Sequence, residues 1–170
     1  MGAVAVAAGT AVAILAGGNG AEKPAGPVRA RSDVAADGPL MYHVIQGRCG
    51  YGAVVTATQN VPPSQGEFCL VTVDVTNQGE APARLRQECQ YLIDVSGRRY
   101  RIRSDVLALE EGSLEAFRAQ LEPGQEVPDV ALYFDVPEGT EASAVELHST
   151  CDSRGVRIPL ALQGTTPVEE

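Results

Sequence analysis

Residues 66–77 read GEFCLVTVDVTN. From Cys69 onward the residues alternate, with Cys69, Val71, Val73 and Val75 on one side and Leu70, Thr72, Asp74 and Thr76 on the other. A period of two is the mark of a strand with one face in a core and one face outward. A cysteine sits on the core face, so the strand also bears on covalent structure. The turn Asn77-Gln78-Gly79 closes it.

Outward from this strand the pattern repeats in short pieces. Upstream, Met41–Arg48 reads as a strand leading to Cys49, and Tyr51–Gln59 as a second with a β-branched centre at Val54, Val55 and Thr56. The loop 61–66, VPPSQG, follows. Downstream, Ala83–Gln87 and Tyr91–Val95 are short strand candidates, and Ser96-Gly97 predicts a hairpin into Arg99–Arg103. The stretch Asp105–Glu111 is expected to be irregular. Ala116–Leu121, Val130–Val136, Val145–Ser149 and Val156–Leu162 complete a set of short strands punctuated by Pro123-Gly124 and Pro137-Glu138-Gly139. Many short strands without a long helix imply an all-β sandwich.

The ends differ in composition from this centre. Residues 2–18 carry no charge and are nearly all Ala, Val, Ile, Leu and Gly, which predicts a signal peptide or membrane-anchor helix over residues 1–18. As a helix the run would reach about 25 Å, short of the roughly 30 Å of bilayer hydrocarbon, so length does not separate the two. A full export signal carries Lys or Arg ahead of its apolar run, and only Met1 precedes this one, so the true start is expected upstream. Ala16-Gly17-Gly18 offers a small-residue cleavage point, and no cysteine follows to take a lipid. Residues 19–39, rich in Gly, Pro and Ala with mixed charges, are expected to be a flexible linker. The sandwich is expected over 40–164 and a disordered tail over 165–170.

The chain has 170 residues, enough for one complete core. Its formal charge of −9 argues against a nucleic-acid partner, which requires a net basic surface. Of the 13 basic residues only Lys23 is lysine, a bias that in an Ala/Gly/Val-rich chain reflects codon composition rather than arginine chemistry.

Four cysteines in a chain with an export-type leader imply two disulfides. Three pairings exist and spacing does not choose among them. Cys49 with Cys69 and Cys89 with Cys151 is the favoured set, worth about 3 and 4 kcal/mol in the loop-entropy account. No CxxC pair occurs and His43 and His148 stand apart, so neither a metal site nor a cofactor is expected. Both histidines are expected at the surface or half buried on strands.

The order GEFCLVTVDVTNQGEAPARL, LIDVSGRRYR, LEPGQEVPDVALYFDVPEGTEASAVELHS and VRIPLAL resembles a family of exported bacterial domains of unknown function, common as lipoproteins and membrane-tethered proteins of Gram-positive bacteria. These are similar to the telokin-like, immunoglobulin-like mycobacterial immunoprotective extracellular antigen. The shared positions are Phe68–Val71, Asn77 and Gly79, Asp94 with Gly97 and Tyr100, Pro123-Gly124, and Phe134–Pro137 with Gly139. The resemblance implies an immunoglobulin-like β-sandwich outside the cytoplasm. In actinobacterial members it also implies a disulfide from the first strand region to the Phe-Cys strand, which fits Cys49 and Cys69. Cys89–Cys151 rests on parity, and the missing lipid-attachment cysteine departs from the lipoprotein members.

Function is expected to be binding, not catalysis. No GxSxG, HExxH or phosphate-cradling glycine loop occurs, and no catalytic residue follows from the resemblance. Asp94, Asp129 and Asp135 lack calcium-loop spacing. Arg99, Arg101 and Arg103 alternate along one strand, with Arg84 and Arg86 repeating the pattern. These five form a candidate basic stripe for an anionic envelope polymer, lipid headgroup or acidic protein. The alternative is a solvated face paired with Glu110, Glu111, Glu115 or other carboxylates. The reading is therefore an exported envelope or secreted binding domain, touching membrane only through its leader. A structural accessory domain and, further off, an unrecognised hydrolase are the alternatives.

Overall fold

The computed structural model describes residues 27–29, 32–56, 58–109 and 111–161. Its strands are β1 (Val28–Arg29), β2 (Val34–Asp37), β3 (Leu40–Tyr51), β4 (Val54–Val55), β5 (Asn60–Val61), β6 (Gly66–Asn77), β7 (Tyr91–Asp94), β8 (Arg99–Arg101), β9 (Glu126–Pro137), β10 (Ala142–Leu147) and β11 (Val156–Pro159). A 3₁₀ turn spans Gln87–Cys89, and two short helices are α1 (Ser104–Leu107) and α2 (Glu111–Arg118).

The strand that opens the sequence argument is β6, at the bounds its alternation implies. It lies between β3 and β9 in a four-stranded sheet of order β2-β3-β6-β9. The second sheet has five strands in the order β1-β11-β10-β7-β8, and β4 and β5 form a separate pair. All pairings are antiparallel except β1 with β11. Cys69, Val71, Val73 and Val75 point into the space between the two large sheets. There they meet Leu132 and Phe134 of β9 and Leu92, Val145, Leu147 and Ile158 of the opposite sheet. This apolar layer is the main core, with the driving force of burial behind it.

The other face of the four-stranded sheet is not fully wet. Phe68, Ala131 and Tyr133 join Val54 and Val106 in a second buried cluster, so the β4–β5 hairpin and α1 cover one end of that face. Ile102 bridges Phe134, and the backbone N–H of Arg103 donates to the Tyr133 carbonyl, so the chain leaving β8 lies against β9.

Several local expectations change. Ala116–Leu121 is not a strand: α2 runs through Arg118, and Leu121 makes a single bridge to Ala83. Ser113, Ala116 and Phe117 stand at helical spacing, with Ser113 and Ala116 buried and Phe117 against the core. Ser104–Leu107 is one helical turn rather than irregular, and it buries Val106 and Leu107. Ala83–Gln87 contributes only the bridge at Ala83 before the 3₁₀ turn, and among the described residues Tyr51–Gln59 contributes only Tyr51, the end of β3, and the two residues of β4.

The folded part also begins earlier than residue 40. Val34–Asp37 pairs with β3 through a turn at Gly38, whose φ of 55° lies in the left-handed region that glycine adopts without strain. A sequence of Val, Ala, Ala and Asp carries little apolar signal. What recruits it is the Asp37 carboxylate, which accepts bonds from the Ser149 backbone N–H and hydroxyl and from the Gly155 N–H at 2.7–2.9 Å. The leader expected over 1–18 and the tail expected over 165–170 lie outside the described residues.

Candidate binding surface

Strand β8 sends Tyr100 into the core and Arg99 and Arg101 outward, as its alternation implies. The three arginines of the expected stripe then part company. Arg99 pairs with Glu146 and lies over the Tyr91 ring, 3.9 Å from its centroid. Arg103 grips Asp105 with Nε and Nη2, both at 2.7 Å, while Nη1 donates to Ser64 Oγ at 3.0 Å and pairs with Asp135. Arg101 lies 5.8 Å from the Tyr91 centroid and makes no ion pair among the described residues. Two of the three are thus consumed by the fold. Among the described residues their carboxylate partners are Glu146, Asp105 and Asp135, in line with the alternative that carboxylates pair with this face.

Register explains the first of these networks. Arg101 faces Tyr91 across β8 and β7, Tyr91 faces Glu146 of β10, and Glu146 faces Arg157 of β11, making one row across the five-stranded sheet. Glu146 is 2% exposed and receives Arg99 and His148 Nε2 on one oxygen and Arg157 on the other. Burial disfavours its charge, but hydrogen bonds from Arg157 and His148 and the field of the two arginines outweigh that, and its pKa falls below the ordinary carboxylate value. His148 is buried, contrary to the half-surface position expected. Its ring packs edge-on to Tyr91, with Nδ1 3.2 Å from the Ser153 carbonyl. Gly155 makes room for that ring: a Cβ there would stand 2.3 Å from His148 Cε1.

Asp135 is the second buried acid, on the outer face of β9. Burial raises its pKa, and bonds from the Ser64 hydroxyl, the Ser64 and Gln65 backbone N–H groups and Arg103 outweigh this and hold it low. It fastens the 61–66 loop to the sheet. Asp94 serves its own hairpin, accepting from Ser96 Oγ and the Arg98 N–H on one oxygen and from Tyr100 OH on the other. Asp129 sits in the left-handed region at φ 54° and donates its N–H to Asp74. His43 is half exposed, 3.5 Å from Asp33 and 3.6 Å from Asp74.

Arg84 and Arg86 stand apart from β8. Both are exposed and make no ion pair among the described residues, and Leu85 between them is 2% exposed, so their backbone turns both outward on one side. They line a hollow of about 330 Å³ with Pro39, Pro82, Ala83, Gln120, Ser149 and Thr150. The expected five-residue stripe is therefore two places, β8 and this hollow.

The disulfides form in the favoured set. Cys49–Cys69 joins neighbouring strands β3 and β6, and Cys89–Cys151 joins the 3₁₀ turn to the loop after β10. The two clusters of metal-capable side chains among the described residues, Cys49/Glu67/Cys69 and Glu88/Cys89/Cys151, are each built on one of these bridges. A disulfide sulfur carries no thiolate charge to offer a metal. Sequence reasoning passed over Glu146, Asp37 and Gln90, the buried polar residues that organise this end. The available signal was a charged residue, Glu146, set between Val145 and Leu147 in β10.

Two layered sheets around one apolar core, stapled by two disulfides, make this protein a β-sandwich. A family model described as a domain of unknown function, DUF4352, matches residues 34–156, and the chain belongs to that family. The match begins at the first residue of β2, in keeping with the early start of the fold. Among solved structures, the yjhA protein from Bacillus subtilis is similar with a TM-score of 0.50 at 14% identity, over 78% of this chain and 99% of that one. At that identity the likeness is one of fold. No curated protein sequence matches this chain.

Proposed function

We propose that the chain is an exported, non-catalytic binding module of the cell envelope or exterior, built on an immunoglobulin-like sandwich of the actinobacterial antigen type. The observation that carries the binding reading is that three of the five arginines of the expected stripe are left over by the fold. On a chain of net charge −9, Arg84, Arg86 and Arg101 are exposed and unpaired among the described residues. Exposed cations without an internal carboxylate are the groups that pair with an anionic partner. The two disulfides fit an oxidising compartment. Nucleic acid is not the partner proposed, and contact with membrane is assigned to the leader.

The non-catalytic reading draws on Glu146 and His148. An acid beside an imidazole is the pairing general acid–base chemistry uses, but such an acid serves best with its pKa raised toward neutrality. Here the pKa moves down, and both carboxylate oxygens are occupied by cations.

The test is retention of the purified domain on envelope isolated from its host. The expected result is salt-sensitive binding that is lost when Arg84, Arg86 and Arg101 are all replaced by Glu. A parent domain that passes through unretained at low salt overturns the reading.

A further inference from the structure

The hollow beside Arg84 and Arg86 is held open by buried connections on both of its sides. On one side the segment 82–86 is pinned by paired backbone bonds between Ala83 and Leu121 at 2.8 and 2.9 Å and by the buried Leu85. On the other side the Ser149 hydroxyl and N–H are bound to Asp37, and Gly38 passes so close that a Cβ there would stand 2.8 Å from Ser149 Oγ. Gln90, fully buried, bolts the two sides together. Its Nε2 donates to the Arg86 carbonyl at 2.6 Å and the His148 carbonyl at 2.8 Å, while its Oε1 accepts from the His148 N–H at 2.9 Å. Cys89–Cys151 adds a covalent tie between the turn that follows Arg86 and the loop that carries Thr150.

The chemistry of the lining points one way. Two arginines and no acidic residue line the hollow, with Thr150 and Gln120 as further polar residues of the lining. Of the acids close by, Asp37 lies behind Ser149 with its oxygens already bonded, and Glu80, Glu88, Glu122 and Asp152 are exposed within two residues of the lining without being part of it. Side chains two apart on an extended segment are separated by about 7 Å, a span that lets two guanidiniums close on one tetrahedral oxyanion from either side.

We infer that this hollow is a phosphate-binding site, preorganised by Gln90 and the Cys89–Cys151 bridge. The inference rests on the binding reading above and names the chemical group that the module recognises. Arginine matches phosphate geometry with paired donors, and a rigid frame fixes the backbone from which the two side chains reach, so only the side chains are ordered on binding.

The experiment titrates the full protein with inorganic phosphate, with glycerol 3-phosphate and with acetate, following backbone amide shifts by NMR. Phosphate is expected to move the amides of residues 83–86 and 149–151 at low salt. Arg84→Met and Arg86→Met are each expected to weaken it about tenfold, while Arg101→Met leaves it unchanged. The double variant Cys89→Ser/Cys151→Ser, shown folded by its spectrum, is expected to bind several-fold more weakly. Vesicles of phosphatidylglycerol against phosphatidylcholine separate a lipid headgroup from a soluble phosphate ester as the source. Acetate binding as tightly as phosphate, or phosphate shifts that survive loss of both arginines, overturns the inference. Envelope retention that persists in the Arg84→Met/Arg86→Met variant and fails with Arg101→Glu sinks this site alone and leaves the binding reading standing.

Discussion

An arginine's value to this protein is decided by whether a buried carboxylate reaches it. Arg103 neutralises Asp135, whose side chain is 2% exposed, and also holds Asp105, and these partners raise its own pKa. Arg101, two residues earlier on the same strand direction, has a ring beside it and no acid. Replacing Arg103 by Met therefore strands a buried charge and is expected to cost about 3 kcal/mol in urea unfolding. Arg101→Met is expected to stay within about 0.5 kcal/mol of the parent. Equal effects of the two would mean that the ion pairs at Arg103 do not bear on stability. That Arg99 and Arg101 point outward on either side of a buried Tyr100 was legible from their alternation. Which buried carboxylates take Arg99 and Arg103 was not, because Glu146 and Asp135 come from β10 and β9, 47 and 32 residues further along the chain.

At the scale of elements, the reach of sequence reasoning followed the strength of the period. Strand β6 is buried between two partners and packs its alternating valines into the core, so its bounds could be read directly. Helix α2 could not, because its eight residues mix Gly, Ser and Glu with only Leu, Ala and Phe to set a phase. Its role is nevertheless specific. The Ala131 N–H of β9 donates to Ser113 Oγ at 2.9 Å, so α2 covers part of the outer edge of the four-stranded sheet. Edges left open are templates for pairing between chains. Ser113→Ala leaves that buried N–H without its acceptor and is expected to cost about 1–3 kcal/mol. Faster hydrogen exchange at the Ala131 amide is the matching local readout, and an unchanged exchange rate would remove α2 from this role.

Over the whole molecule, the covalent ties and the buried acids set the conditions under which the fold persists. Cys89–Cys151 closes 62 residues and Cys49–Cys69 closes 20, so removing the first with paired serines is expected to cost about 4 kcal/mol against about 3 for the second. The acid limit comes from Asp37, Asp135 and Glu146, each buried and each with its pKa held below the ordinary value by the donors around it. Carboxylates of this kind bind protons more readily in the unfolded chain, where their pKa values return to roughly 4. Their contribution is complete above that value and is lost as pH falls through their lower folded values. Three such groups titrating together give a slope of up to about 4 kcal/mol per pH unit. Urea midpoints measured from pH 7 to pH 3 are thus expected to change little through these groups down to about pH 5, then to drop steeply below pH 4. A midpoint that holds level to pH 3 would mean that the buried carboxylates at both ends of the sandwich are not what secures it.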